Sequence, residues 1–140
     1  MAEGLEVTAR WRGGYRADVD ARGHTVAIDE PVDHGGGDEG FMPTELFIAS
    51  LASCFCLAIG HVARKRSLDV PDLSVTVRSE RAGRELRYAR LVVESKASLD
   101  DDTLAMLVER ARPFCWVSNT LAAGVDVEYR RATTGNARTG

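Results

Sequence analysis

Polar and apolar positions alternate along the first part of the chain, and this alternation predicts β-strands. The segments LEVTARW (5–11), YRADVDA (15–21) and GHTVAID (23–29) follow one another, separated by glycines at positions 13–14 and by the Arg22-Gly23 pair. A period of two places one face of a strand against a core and the other face in water. We therefore expect three consecutive strands before the first helix.

A long apolar segment follows, and it predicts a helix from Pro43 to about Ser67. Proline suits the first helical turn because the N–H groups there have no partner within the helix. Glu45 places a negative charge near the positive end of the helix dipole. The apolar stretch 46–59 is interrupted by two serines and is shorter than a membrane-spanning segment, so we expect a buried core helix.

The second half of the chain predicts a hairpin and further helices. Two paired strands are predicted on either side of a turn at Gly83, in the segments LSVTVRSERA and RELRYARLVVESKA. Ser98 is placed to cap a second helix, which has aspartates in its first turn and is ended by Pro113. CWVSNTLAA predicts one more short helix, and GVDVEYR a last strand.

The predicted element order is β-β-β-α-β-β-α-β, which indicates an α+β fold with two main helices and an antiparallel sheet. The length of 140 residues suits one domain with its own hydrophobic core. We place this domain at residues 1–130 and a loose polar tail at 131–140, where RATTGNARTG has little apolar surface to bury.

Composition and charge limit the partners and the compartment. The net charge is −3, so the chain lacks the basic surface typical of a nucleic-acid-binding protein. The first ten residues, MAEGLEVTAR, contain no apolar segment of a secretory signal. We therefore expect a cytoplasmic protein with no membrane or nucleic-acid partner. Permanent disulfides are rare in such a reducing compartment, and three cysteines are an odd number for a disulfide scaffold.

The three cysteines are the candidate chemical groups, and a metal site is the first possibility. On a helix, Cys54 and Cys56 lie about 200° apart around the axis, so they face different sites. His61 shares the Cys54 face but lies about 10 Å further along the axis, a gap that one metal ion cannot bridge. We therefore expect no metal ligands and no metal cofactor.

Packing and redox chemistry remain as two open interpretations of the cysteines. Periodicity alone favours buried, unreactive thiols, since free cysteine is among the most buried residue types. Cys54 and Cys115 lie on different elements, however, and could meet in the fold as a redox pair. Cys56 shares its helix face with small residues, a stripe that would let another backbone approach closely: Ala49, Ala52, Ser53, Gly60 and Ala63.

The glycine-rich segment HGGGDEG (34–40) does not have the features of a nucleotide-binding loop. It lacks the lysine and the Ser/Thr of a P-loop, and its spacing is not that of a dinucleotide-binding motif. Asp38 and Glu39 would repel a phosphate group. We interpret the segment as a flexible connector into the first helix and expect no cofactor there.

The neighbourhoods of two cysteines resemble a known family. GGGDEGFMPTELFIASLASCF is similar to the segment GG…G…P-x-E-L…LA-x-C of the OsmC/Ohr family of thiol-dependent peroxidases. CWVSNTL is similar to the second-cysteine motif of that family, C-P-V-S-N-x-L. The 61 positions between Cys54 and Cys115 match the family spacing, and the resemblance spans roughly residues 5–130.

The resemblance implies an intertwined homodimer in which strands from both chains wrap two central helices. It implies reduction of organic hydroperoxides or hydrogen peroxide without flavin, haem or metal. Cys54 would attack as a thiolate and become a sulfenic acid, and Cys115 would resolve it to a disulfide. The reductant that reopens the disulfide would be a dithiol, such as one of the lipoyl type.

The family lowers the pKa of its reactive thiol with an arginine that a glutamate holds in place. Arg16, after RGGY, is the nearest match to that arginine, and Glu45 is the nearest acid. In the family's organic-peroxide branch the glutamate directly follows the helix-starting proline, where this chain has Thr44. Trp116 replaces the proline of the second motif. The alternative function is a catalytically weak member that binds a small hydrophobic ligand at the dimer interface.

Overall fold

The strands of the protein form two separate antiparallel sheets. A computed structural model describes residues 4–132; from residue 133 onward, the predicted tail lies outside the described residues. The first sheet has the order β1-β2-β3 and the second pairs β4 with β5. Their bounds are β1 (Thr8–Trp11), β2 (Ala17–Ala21), β3 (His24–Ile28), β4 (Ser74–Arg81) and β5 (Tyr88–Lys96).

A tight turn fixes the register of the first sheet. Ala21 pairs with His24 across the two-residue turn predicted at Arg22 and Gly23. Both turn residues have positive φ, 51° and 85°, which is the backbone of the turns that match the twist of a β-hairpin. The three strands predicted at the start of the chain are thus confirmed, with shorter bounds than the alternating segments.

The first helix, α1 (Pro43–Lys65), forms the centre of the core. It is long and apolar enough to cross a membrane by length and composition, so the expectation that the apolar stretch is too short was wrong on length. Its role as a core helix is nevertheless confirmed, because the second sheet and the later helices pack along it. One face is buried along its length: Leu51, Phe55, Ala58, Ile59, Val62 and Ala63.

The hairpin and two further helices cover that face of α1. Leu107 and Ala111 of α2 (Asp101–Ala111) are fully buried against it. The hairpin packs apolar side chains of β4 and β5 on the same cluster, and Val117 of α3 (Trp116–Ala123) completes it. A 3-10 turn, Arg112–Phe114, links α2 to α3 at the predicted break at Pro113. The α+β fold class is confirmed.

Two predicted details are wrong. Residues 124–130 form no strand, and the apolar side chains of this alternating segment are exposed. A strand needs a partner edge, and within residues 4–132 this segment pairs with neither sheet. Asp100, not Ser98, caps α2, because its carboxylate accepts a hydrogen bond from the Thr103 backbone N–H at 3.0 Å. Ser98 instead donates to the carboxylate of Asp72.

The glycine-rich segment is a fixed loop, which corrects the interpretation of a flexible connector. Asp29 is buried at 3% exposure, and its carboxylate accepts hydrogen bonds from the backbone N–H groups of Glu30, Gly37 and Glu39. A Cβ at Gly36 would lie 2.0 Å from the Glu30 carbonyl oxygen, so the chain passes too close for a side chain. The buried acid therefore holds the loop that leads into α1.

Candidate active site: the Cys54–Cys115 thiol pair

Helices α1 and α3 bring Cys54 and Cys115 together. Cys54 lies in the middle of α1, is half-buried and packs on the hydrophobic cluster to which the fully buried Cys115 belongs. The Cys54 thiol is one of the groups that act to lower the pKa of Cys115. Both thiols are free, so the structure shows the reduced state of a potential disulfide.

Cys115 occupies the N-cap position of α3, and the local chain geometry holds it there. Pro113 ends α2 and turns the chain through the 3-10 segment. Asn119 then fixes the turn, because its side-chain amide donates to the Pro113 carbonyl and its backbone N–H to the Cys115 carbonyl, each at 3.0 Å. The first backbone N–H groups of α3 have no partner within the helix, and the Cys115 side chain makes no cap hydrogen bond with them.

The surroundings of the Cys115 thiol shift its pKa. Burial acts to raise the pKa, since the charged form loses contact with water. The polar groups of Ser118, the Cys54 thiol and the Val117 backbone N–H act in the opposite direction and outweigh burial, so the pKa falls below the usual value of cysteine. The Ser118 hydroxyl also donates to the Cys115 carbonyl at 3.2 Å. The thiol with the lowered pKa is therefore the buried one.

Cys56 belongs to a different face of α1, as the helix geometry predicts. It is half-buried and is not among the residues that pack on the cluster around Cys115. Of the small residues predicted beside it, Ser53 and Gly60 are exposed, whereas Ala63 is buried in the core. The exposed part of the stripe continues with Leu57, which is 74% exposed.

Arg16 lies on the loop before β2 and is held by acids of its own region. Its guanidinium donates to the carboxylate of Glu39 at 2.9 Å and to that of Asp18 at 3.2 Å. Arg12, which also pairs with Asp18, is the main cause that holds the pKa of Asp18 below its usual range, with Arg16 as a further cause. Within residues 4–132, the hydrogen bonds of Arg16 do not include Cys54. Its role as the activating cation stays a prediction.

Glu45 lies in the first turn of α1 and caps that helix. Its carboxylate accepts a hydrogen bond from the Met42 backbone N–H at 2.9 Å. Cys54 is nine residues further along, which places it about 13 Å away along the axis and on the opposite face. The acids that pair with Arg16 are Glu39 and Asp18, and neither was predicted for this role from the sequence.

Two cavities flank the elements that carry the thiols. One, of about 540 Å³, lies on the outer side of α3 against Phe114 and Trp116, both of which are exposed. The other, of about 420 Å³, lies between the first sheet and the start of α1 and is apolar. Among the described residues, no three His, Cys, Asp or Glu side chains come together as metal ligands.

Comparison with known proteins defines the family to which this arrangement belongs. The family model of OsmC-like proteins matches residues 35–130, which is more than half of the chain and includes both thiols. The protein belongs to the OsmC-like family. The resemblance inferred from the two cysteine motifs is therefore confirmed, and the OsmC-like fold explains the α+β order of the elements.

Relatives and solved structures support the same assignment. Organic hydroperoxide resistance protein OhrB of Bacillus subtilis is 27% identical, with 81% of this chain and 95% of that protein covered. Its structure superposes with a TM-score of 0.62 at 26% identity, covering 91% of this chain and 97% of the other. An osmotic stress induced and detoxification response protein of Psychrobacter arcticus superposes with a TM-score of 0.72 at 27% identity, covering 84% and 89%.

An uncharacterized protein of Methanocaldococcus jannaschii is a further relative. It is 23% identical over 128 residues, which cover 89% of this chain. The chain spans 66% of the length of that relative.

Proposed function

We propose that this OsmC-like protein reduces organic hydroperoxides or hydrogen peroxide through Cys54 and Cys115. The observation that carries the proposal is the packing of Cys54, in the middle of α1, against the cluster that contains Cys115, in a chain of this family. The similarity to a hydroperoxide resistance protein, OhrB, supports the choice of substrate. Two free thiols in contact can accept the oxidising equivalents of one peroxide without a further cofactor.

The proposed reaction has two covalent steps. The Cys54 sulfur attacks the peroxide, an S–O bond forms, the O–O bond breaks, and the alkoxide leaves as an alcohol after it takes a proton. The Cys115 sulfur then attacks the Cys54 sulfenic acid, an S–S bond forms, and hydroxide leaves and becomes water. The two sulfurs together lose two electrons, which the peroxide gains. A dithiol, of the lipoyl type or similar, returns the pair to the reduced state.

The cation proposed to favour the Cys54 thiolate is Arg16, oriented by Glu39. A guanidinium near a thiol stabilises its charged form and so increases the reactive fraction. Because Arg16 is bound to acids of its own N-terminal region, its approach to a thiol pair is proposed to occur in the dimer, where a sheet of one chain covers a helix of the other. Glu45 contributes in this proposal by fixing the start of α1.

We propose that the protein is a homodimer in the cytoplasm. The support comes from apolar surface that the chain leaves uncovered. Leu57 is 74% exposed in the middle of the core helix, and Val125, Val127 and Tyr129 are exposed on a segment whose alternation favours a strand. A second copy of the chain would supply both the missing strand partner and the cover for α1.

Trapping of the oxidised sulfur tests the proposed reaction. In Cys115→Ser, one equivalent of an organic hydroperoxide should leave a sulfenic acid on Cys54 that dimedone labels, as mass spectrometry would show. The wild-type protein should instead form an intramolecular disulfide between Cys54 and Cys115 that a dithiol reverses. Serine is a good N-cap residue, so the variant should keep the fold of α3.

Two further variants complete the experiment. Cys54→Ser should consume no peroxide, whereas Cys56→Ala should keep most of the activity because Cys56 lies on another face of α1. First oxidation on Cys115 would reverse the two roles. If neither thiol reacts with excess peroxide, the peroxidase proposal fails.

The second candidate function is the binding of a small hydrophobic ligand, and it would replace the peroxidase proposal in that case. The apolar cavity of about 420 Å³ favours it, since Val19, Ile28 and Leu46 contribute to an almost wholly apolar wall. A cavity of this size suits a small molecule. Saturable binding of a fluorescent apolar probe that Leu46→Arg abolishes would support this candidate, and binding that the variant leaves unchanged would place the ligand elsewhere.

A further inference from the structure

A further cavity, of about 400 Å³, lies between the C-terminal end of α1 and the turn that follows α2. The buried Val62 lines it together with Pro113 and Phe114, and these three residues give the cavity an apolar part. A volume of this size suits a small molecule. The proposed reaction with peroxide gives this cavity no role.

The other side chains that line this cavity are basic. Lys65 and Arg66 come from the end of α1, and Arg110 comes from the last turn of α2. His61, one helical turn before Lys65, completes the lining. Among the described residues, no aspartate or glutamate lines the cavity. A chain with a net charge of −3 thus places three permanent cations around one small cavity.

The three cations are not neutralised by carboxylates within residues 4–132. The salt bridges of this part of the chain involve other basic residues, and none of them includes Lys65, Arg66 or Arg110. Glu109 is adjacent to Arg110 in sequence, but its carboxylate is paired with Arg112 at 3.3 Å. A negatively charged group from solution would therefore find these cations available.

The helix dipole explains why each of these cations occurs, but not why they converge. Cations are favoured in the last turn of a helix, where the partial negative charge of the dipole lies. Arg64 follows the same rule in the last turn of α1, yet it does not line the cavity. Lys65 and Arg110 belong to two different helices, and tertiary packing brings both to the same cavity.

An aromatic surface lies beside the cations. The rings of His61 and Phe114 pack together, with 5.0 Å between their centroids and 57° between their planes. Phe114 is nevertheless 53% exposed, so part of its ring is available to an apolar group. A guanidinium binds a carboxylate or a phosphate through two parallel hydrogen bonds. The cavity therefore offers charge and apolar surface to the same molecule.

We propose that this cavity binds a small organic anion, in which a carboxylate or phosphate is joined to an aromatic or other apolar part. The anionic group lies against Lys65, Arg66 and Arg110. The apolar part packs on Phe114. This inference adds a binding site to the proposed function and does not depend on it.

The proposed anion site is separate from the reacting sulfurs and from the proposed dimer contact. His61 shares the α1 face of Cys54 but lies about 10 Å further along the axis. Gly60 belongs to the stripe proposed to contact a second chain, and Lys65 lies about 140° around the axis from it. A dimer formed through that stripe is therefore compatible with an open cavity.

Calorimetric titration of the reduced protein at low ionic strength tests the proposed ligand class. The probes are phenylacetate, which has the charge and the ring, acetate, which has the charge alone, and benzyl alcohol, which has the ring alone. Phenylacetate should bind saturably, at one molecule per chain, and at least about tenfold more tightly than either of the other two. Added salt should weaken this binding, because it screens exposed charges. Phenyl phosphate, titrated in the same way, identifies which anionic group the site prefers.

Substitutions in the lining test the location of the site. Arg110→Gln and Lys65→Gln should each weaken phenylacetate binding by about threefold, the effect expected of an exposed ion pair. Arg64→Gln is the matched control, because it removes the same charge from the same helix end outside the cavity, and it should leave the affinity unchanged. Phe114→Ala should weaken the binding of phenylacetate but not that of acetate. Circular dichroism would check that each variant is folded.

Several outcomes would overturn the proposal. Absence of saturable binding for both phenylacetate and phenyl phosphate would remove the site. Equal weakening by Arg64→Gln would show a response to net charge alone, and unchanged affinity in Arg110→Gln and Lys65→Gln would place the ligand elsewhere. Equal affinities for acetate and phenylacetate would exclude a role for the aromatic surface. Because these titrations contain no peroxide and can be repeated in Cys54→Ser, failure of the peroxidase proposal would leave the anion site standing.

Discussion

At the scale of single residues, the two thiols differ in accessibility. A reactive cysteine is usually both exposed and ionised. In the structure Cys115 has the lowered pKa but is fully buried, whereas Cys54 is the more exposed partner. The more exposed thiol is thus the one that is proposed to meet the peroxide.

Arg16 carries the main residue-scale prediction outside the thiol pair. Arg16→Ala should slow the reaction of Cys54 with peroxide at neutral pH by about tenfold, since a cation near a thiol favours the thiolate. Stopped-flow measurement of peroxide consumption and the rate of alkylation at several pH values would report this effect. Glu39→Gln should act in the same direction, because Glu39 holds the guanidinium at 2.9 Å.

Arg12→Ala is the matched control for Arg16. Arg12 shares the Asp18 carboxylate but has no hydrogen bond to Glu39 in the structure of residues 4–132. Its loss should leave the rate unchanged. An unchanged alkylation profile in Arg16→Ala would remove Arg16 from the site.

At the scale of elements, the loop before α1 depends on one buried acid. The backbone N–H of Glu30, with those of Glu39 and Gly37, holds the pKa of Asp29 below its usual range against the effect of burial. The ionised carboxylate accepts the hydrogen bonds that fix the loop, and the same loop carries the Glu39 partner of Arg16. The order of this connector thus fixes the position of Glu39 beside Arg16.

Asp29→Asn should lower Tm by several degrees at pH 7, because an amide offers fewer acceptors to the surrounding N–H groups. A folded-state pKa below the unfolded value of about 3.9 means that Asp29 contributes stability above that pH. This contribution to stability is lost as the pH falls through the lowered pKa of Asp29 in the folded protein. Thermal unfolding at several pH values should therefore show that the Tm values of the wild-type protein and of Asp29→Asn converge at acid pH.

Asp33→Asn serves as the control in the same loop, since Asp33 is exposed. It should leave Tm unchanged at every pH. A similar loss of stability in both variants would show that the loop responds to net charge and not to the Asp29 hydrogen bonds.

At the scale of the whole molecule, the uncovered apolar surface predicts association of two chains. The exposed stripe on α1 and the unpaired segment 124–130 lie outside the core of a single chain. Light scattering at micromolar concentration should give the mass of two chains. A monomer at that concentration would contradict the homodimer.

Gly60→Leu tests whether the exposed face of α1 forms the contact between the two chains. A Cβ at Gly60 meets no atom within 4 Å in the single chain, so a larger side chain fits there unless another chain is present. We expect this variant to shift the protein towards the monomer with the fold intact, as circular dichroism would check. Ala105→Leu, on the exposed side of α2, should leave the dimer mass unchanged.

Local sequence signals account for most of the elements. The Arg22-Gly23 turn, the start of α1 at Pro43, the break at Pro113 and the short helix after Cys115 all follow from backbone preferences that act over a few residues. The failed prediction at 124–130 has the opposite cause. Its alternation expresses a preference for a strand, but a strand exists only where another edge completes its hydrogen bonds.

The sequence by itself determined the family, the α+β order and the two cysteines that are proposed to react, because motif spacing and periodicity are properties of the chain. Only the tertiary structure decided which groups touch. It placed Cys115 at the N-cap of α3, paired Arg16 with Glu39 and fixed the glycine-rich loop on Asp29. The physical reason is that the pKa of a thiol or a carboxyl depends on burial and on hydrogen bonds from residues distant in sequence, and these exist only after folding.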